Sequence, residues 1–201
     1  MWHLRWRRVA GALAILWVAV SSCSCIAPEA RTQNLRVPSP LYFDASALPY
    51  QHASVSLAGT RIPCTMDRIV DGDTVSFRLH DQGRLIAEET YEDGPKAFRL
   101  ISAAGDRYDP PIDLIRYPMV VAGAKTEQES SLIEPGSTRK TLVEVTSVTD
   151  KQTLDGFVLD AVRVDVMLDA PKRMLKFWFV KGKGLVRTEI GTDTVREQDE
   201  S

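Results

Sequence analysis

From Thr74 to His80 the chain alternates strictly, with Val75, Phe77 and Leu79 on one side and Thr74, Ser76, Arg78 and His80 on the other. A period of two places successive side chains on opposite faces, so this segment reads as a half-buried strand. The same pattern predicts strands over 84–91, 96–103, 140–148, 158–168, 173–180 and 184–190. In 158–168 Val162, Val164, Val166 and Leu168 point inward. Between the strands stand Asp71-Gly72, Asp81-Gln82-Gly83, Asp93-Gly94-Pro95, Pro135-Gly136, Asp155-Gly156 and Ala170-Pro171. These are the residues that tight hairpins require for positive or fixed φ.

Downstream of residue 40 no stretch of about 12 residues carries a 3.6-residue period, although short helical turns fit around 46–52 and 112–116. The expected fold is all-β: an antiparallel meander forming a curved sheet, half-barrel or barrel-like. Tyr108 to Gly123 interrupts the rhythm, because Pro110, Pro111 and Pro118 oppose a central strand. That segment is expected to cross the open side or end of the sheet and to divide the domain into two meanders, 41–105 and 125–192. The tail after 192 is charged and expected to fray.

The front of the chain is of another kind. Met1 to Arg8 carries Arg5, Arg7 and Arg8 and no acid, Val9 to Val20 is apolar throughout, and Ser21-Ser22-Cys23 follows. A membrane-spanning helix needs roughly 20 apolar residues, so this shorter run reads as the core of a secretory signal. Ile26 to Pro40 holds three prolines and no periodicity, which is the composition of a tether.

Val20-Ser21-Ser22-Cys23 resembles the lipobox of bacterial lipoproteins. The resemblance implies cleavage before Cys23, a diacylglyceryl group on its sulfur and usually a third chain on its nitrogen, palmitate among them. At about 0.8 kcal/mol per buried CH₂, two such chains would hold the protein with about 20 kcal/mol or more. Ser24 stands where enteric-type lipoproteins kept in the inner membrane have aspartate, so the resemblance favours the outer membrane, facing the periplasm, if the cell is Gram-negative. The domain plan is 1–22 signal peptide, 23–40 lipidated cysteine and tether, 41–192 a single β domain, and 193–201 a charged tail.

Loss of residues 1–22 removes three basic residues and leaves 22 Lys and Arg against 27 Asp and Glu, a formal charge of −5. A mildly acidic, mixed-charge surface does not bind nucleic acid through its net field. Trp178 becomes the sole tryptophan. With Cys23 acylated, Cys25 and Cys64 are the remaining thiols, able to pair only if the tether folds back; otherwise Cys64 is a small buried residue of a strand.

Candidate chemistry is sparse. Asp67-Arg68-Ile69-Val70-Asp71-Gly72-Asp73-Thr74-Val75 with Phe98-Arg99-Leu100 resembles the opening of thermonuclease-type folds, which implies a cation-binding carboxylate and a phosphate-binding arginine. A whole extra hairpin separates the two pieces here, and Ile101 to Asp106 replaces the second carboxylate cluster. Asp-Gly between alternating strands is also an ordinary hairpin. Lys181-Gly182-Lys183-Gly184 lacks the helix and spacing of a phosphate loop and reads as a turn. His52 and His80 have no ligand partners at metal spacing. No nucleophile motif is present, and Glu127, Glu129, Asp150 and Asp165 read as solvated faces.

Phe177-Trp178-Phe179 places Trp178 opposite both phenylalanines, so the sheet is apolar on two faces. Either both faces are covered, or one is a concave ligand face formed by Trp178, or by Phe177 and Phe179. Tyr108-Asp109-Pro110-Pro111-Ile112, Tyr117-Pro118-Met119 with Gly123, and the end from Phe177 to Arg187 resemble uncharacterised bacterial secreted proteins and lipoproteins over about 108–190. That resemblance implies a curved antiparallel sheet and no catalytic residues. The sequence thus points to a membrane-anchored envelope lipoprotein that binds or scaffolds rather than catalyses, with an envelope protein or apolar ligand as partner and neither cofactor nor metal. Carriage of lipid in a half-barrel and envelope hydrolysis are the alternatives.

Overall fold

The structure, a computed structural model, describes residues 52–57, 59–117, 123–154, 156–191 and 194–198. Among these residues lie twelve strands: β1 (His52–Leu57), β2 (Thr60–Asp71), β3 (Thr74–Asp81), β4 (Arg84–Asp93), β5 (Ala97–Ala103), β6 (Asp106–Arg116), β7 (Lys125–Glu134), β8 (Ser137–Leu154), β9 (Phe157–Asp169), β10 (Lys172–Val180), β11 (Gly184–Ile190) and β12 (Thr194–Gln198). Each pairs antiparallel with its successor, and β1 pairs with both β2 and β12, so one curled sheet closes into a ring. The all-β meander expected from the alternation is the fold observed.

Hairpin chemistry explains the turns. Gln82 and Gly83 take φ of 48° and 80°, and Ala104 and Gly105 take 53° and 86°. Both pairs are left-handed, the two-residue arrangement whose twist matches that of the flanking strands. With strict up-and-down order the turns fall at two ends. The β2–β3, β4–β5, β8–β9 and β10–β11 turns share the Gly156 end; the β3–β4, β5–β6, β7–β8 and β9–β10 turns share the Gly105 end.

Three expectations change. Residues 108–116 of the expected 108–123 crossing, including the helical turn expected at 112–116, belong to β6, which pairs with β5 from Ala97↔Arg116 to Ala103↔Asp106, while 118–122 lie outside the described residues. The prolines act on one side only: β6 meets β7 just at Arg107↔Ile133, Tyr108↔Leu132 and Asp109↔Ser131, and the ladder stops where Pro110 and Pro111 offer no N–H. The sheet is therefore continuous rather than two meanders. Beyond that point side chains bridge the seam, Ser130 Oγ donating to the Pro110 carbonyl at 2.7 Å and the Asp113 N–H donating to Gln128 Oε1 at 3.2 Å. Residues 46–51, the rest of the other expected helical turn, lie outside the described residues.

The core is built from opposite walls of the ring. Phe177 and Phe179 of β10 meet Tyr91 of β4 and Phe98 of β5 edge to face, with ring centroids 6.4 and 6.0 Å apart. Tyr91 and Phe98 stack at 5.0 Å. Val162, Val164, Val166 and Leu168 are buried in the same cluster, as the pattern predicts. A second cluster, Ala53, Val55, Cys64, Met66 and Leu79, lies under β1 to β3, and Phe77 packs against both. Cys64 is thus a buried strand residue, its Sγ 3.2 Å from the Ile62 carbonyl oxygen. Register shifts at Thr90/Tyr91, Phe98/Arg99 and Leu100/Ser102 concentrate bulges on the β4–β5–β6 wall, where added twist helps the sheet curl.

Candidate binding surfaces

Trp178 lies on the outer side of β10, opposite the core-facing Phe177 and Phe179, and is 5 % exposed. Register places Arg163 of β9 and Arg187 of β11 on either side of it. The Arg187 guanidinium sits 4.9 Å from the indole centroid, a cation–π arrangement. The indole Nε1 donates to Asp150 Oδ2 at 2.9 Å, and Arg163 Nη1 donates to the same oxygen at 3.2 Å. Arg163 Nε also donates to Asp165 at 2.8 Å, while Arg187 pairs with Glu189, which Lys176 approaches at 3.4 Å. Charges of alternating sign therefore run across β8 to β11 around one indole.

Burial pushes the Asp150 carboxyl up, yet the bonds from Trp178, the Lys151 N–H and Arg163 outweigh it and hold the group below the usual carboxylate value. Leu154, Ala161, Val180 and Val186 form the apolar bed of this patch. Asp150 and Asp165, expected on a solvated face, are instead engaged in this network. Cross-strand register, which alternation within one strand does not reveal, makes them partners of Arg163 and Trp178.

At the Gly105 end β4 outruns β5: pairing starts at Glu89↔Ala103, so Arg84 to Glu88 pair only with β3 among the described residues. A cavity of about 530 Å³ opens there, walled by Val55, Leu85, Ile86, Ala87, Asp106 and Arg107. Leu85 and Ile86 are exposed. As consecutive apolar residues they break the alternation of their strand, the one sequence signal that marks this site. Asp106 closes its inner side through an ion pair with Arg173 of β10, which spans the ring from β6. Neighbouring Tyr108 is 1 % exposed; burial pushes its pKa well up, assisted by Asp106 and opposed by Arg173.

The buried carboxylate Glu89 faces the interior, accepting hydrogen bonds from Tyr91 Oη at 2.8 Å and Thr188 Oγ1 at 3.4 Å. Neither Trp178, Phe177 nor Phe179 lines the Gly105-end cavity. The two phenylalanines are fully buried in the core, so the three candidates do not share a face. Cys23 lies outside the described residues. Asp71 and Asp73 are exposed at the β2–β3 turn, and Arg99 is held by Asp113 and Glu92, each at 2.8 Å. His80 Nδ1 is 3.5 Å from Asp67, and the described residues contain no group of three or more metal-ligating side chains suited to an ion. Lys181 to Lys183 form a turn, with Gly182 at φ 73°.

No family model matches the chain, and no curated protein matches it. Among solved structures, the hypothetical lipoprotein YmcC from Escherichia coli (K12) is similar at a TM-score of 0.46 and 14 % identity, over 79 % of this chain and 88 % of that one.

Proposed function

We propose that this chain is a lipid-anchored envelope protein that binds a partner and performs no catalysis. One observation carries the reading: a basic start, an apolar run too short to span a membrane and Val20-Ser21-Ser22-Cys23 follow one another in the order that acylation requires. In a Gram-negative cell, Ser24 in the same resemblance supports outer-membrane attachment facing the periplasm. The engagement of Arg99 by Glu92 and Asp113 supports binding over phosphodiester hydrolysis, since a phosphate would have to displace both carboxylates. Cys23→Ala is expected to abolish incorporation of labelled palmitate and to move the protein from the membrane pellet to the soluble fraction. A Cys23→Ala protein still labelled and still in the pellet would refute the anchor.

A second reading, carriage of a small apolar ligand, is favoured by the cavity at the Gly105 end. Its volume of about 530 Å³ falls in the range of ligand pockets, and Val55, Leu85, Ile86 and Ala87 give it an apolar wall.

A further inference from the structure

The most exposed large apolar side chains among the described residues are neighbours: Phe157 at 70 % and Val158 at 65 %. They begin β9 at the tip of a hairpin that outruns the strands on both sides. β10 reaches only to Ala161, through Val180, and β7 only to Thr146, through Lys125. Among the described residues, 157–160 are therefore paired only with 151–154 of β8. At about 3.3 Å per residue this ribbon stands roughly 13 Å beyond the end of β10.

Phe157 opposes Leu154, and opposed residues share a face, so Phe157 continues the outer apolar stripe of Leu154 and Leu159. Val158 points the other way. A protein groove buries one face of a ribbon, whereas a tip apolar on both faces is matched by a medium that surrounds it. Lys151 on the ribbon and Lys181 on the adjoining β10–β11 turn are exposed beside the tip, where ammonium groups can meet headgroup phosphates; the exposed Asp71 and Asp73 of this end stand across the ring, at the β2–β3 turn. The ion pair of Lys151 with exposed Asp160, at 3.9 Å, competes weakly. β1 also runs away from this end, so the chain enters the ring from the Gly156 side. About 28 residues, 24–51, separate Cys23 from His52, a reach of at most about 100 Å.

We infer that the Gly156 end faces the anchoring bilayer and that the β8–β9 tip inserts Phe157 and Val158 at the boundary between headgroups and acyl chains. The inference rests on the lipid anchor at Cys23.

The test uses the full acylated protein carrying Phe157→Trp or Val158→Trp, reconstituted into phosphatidylethanolamine–phosphatidylglycerol vesicles with and without brominated acyl chains. Buried Trp178 is the only other indole of the processed chain, so the unsubstituted protein supplies the background. Both introduced indoles are expected to emit at shorter wavelength and to lose at least half their intensity to brominated lipid. Flotation of the vesicles reads the anchor separately. Protein that floats with introduced indoles unquenched and open to acrylamide overturns the inference and leaves the anchor standing. Shielding from acrylamide without quenching by brominated lipid assigns the tip to a protein contact and overturns it equally. Failure to float removes the anchor and, with it, this inference.

Discussion

Asp150 is the residue on which the outer patch turns, because two donors from different strands converge on one of its oxygens. Asp150→Ala leaves the largely buried indole N–H without an acceptor, and an unmade buried hydrogen bond costs about 1–3 kcal/mol. Asp150→Asn retains an acceptor for Trp178 and is expected to cost less. The pH dependence has a definite sign. The folded-state pKa lies below the ordinary value, so the contribution of Asp150 is complete above about pH 4 and is lost as pH falls through the depressed pKa. Urea midpoints of wild type and Asp150→Ala should therefore differ at neutral pH and converge in acid. A constant difference across that range would dissociate the charge of Asp150 from stability.

At the scale of elements, the seam between β6 and β7 is a weak line of the ring. Three register pairs join the two strands, against ten between β7 and β8. Pro110 and Pro111 withdraw the donors a ladder needs, and Ser130 and Gln128 substitute side-chain bonds for it. Ser130 is 3 % exposed, so Ser130→Ala leaves the Pro110 carbonyl without that donor and should cost about 1 kcal/mol or somewhat more. Amide hydrogen exchange is expected to quicken first in β6 and β7, before β8 or β9; uniform acceleration round the ring would show that the seam does not open by itself. The prolines were visible in the sequence, but the crossing and the division into two meanders expected from them give way to a strand that is paired on both sides and loses only part of one ladder. Proline acts through one edge of a strand, however, and the sequence does not say which neighbour that edge will face.

Across the whole molecule, the Asp106–Arg173 pair ties β6 to β10, strands that are not neighbours in the sheet. The Asp106 side chain is 10 % exposed and that of Arg173 30 %, so breaking the pair strands a mostly buried carboxylate. Arg173→Ala should destabilise the barrel by about 2–3 kcal/mol, below the figure for a fully buried pair because Arg173 is partly hydrated. The double variant Asp106→Ala with Arg173→Ala should cost less than the sum of the singles in urea titrations. Strict additivity would mean that the contact carries no coupling across the ring.

The strands β3, β4, β5 and β8 to β11 and the inward sets of β3 and β9 were legible in the sequence alone, because a period of two requires only that one face be buried; the Asp-Gly and Gln-Gly turns followed from local φ preferences. The proposed signal and acylation at Cys23 likewise rest on local chemistry alone. Tertiary structure decided what depends on register between strands far apart in the chain. It made β2, an uneven Thr60–Asp71 with Ile69 and Val70 exposed, a full strand of the ring. It separated Trp178 from Phe177 and Phe179, turning one into the centre of a charged outer network and the others into contacts with the opposite wall. It also left Leu85, Ile86, Phe157 and Val158 uncovered, because exposure at a strand end depends on where the neighbouring strand stops, and only the closed ring fixes that.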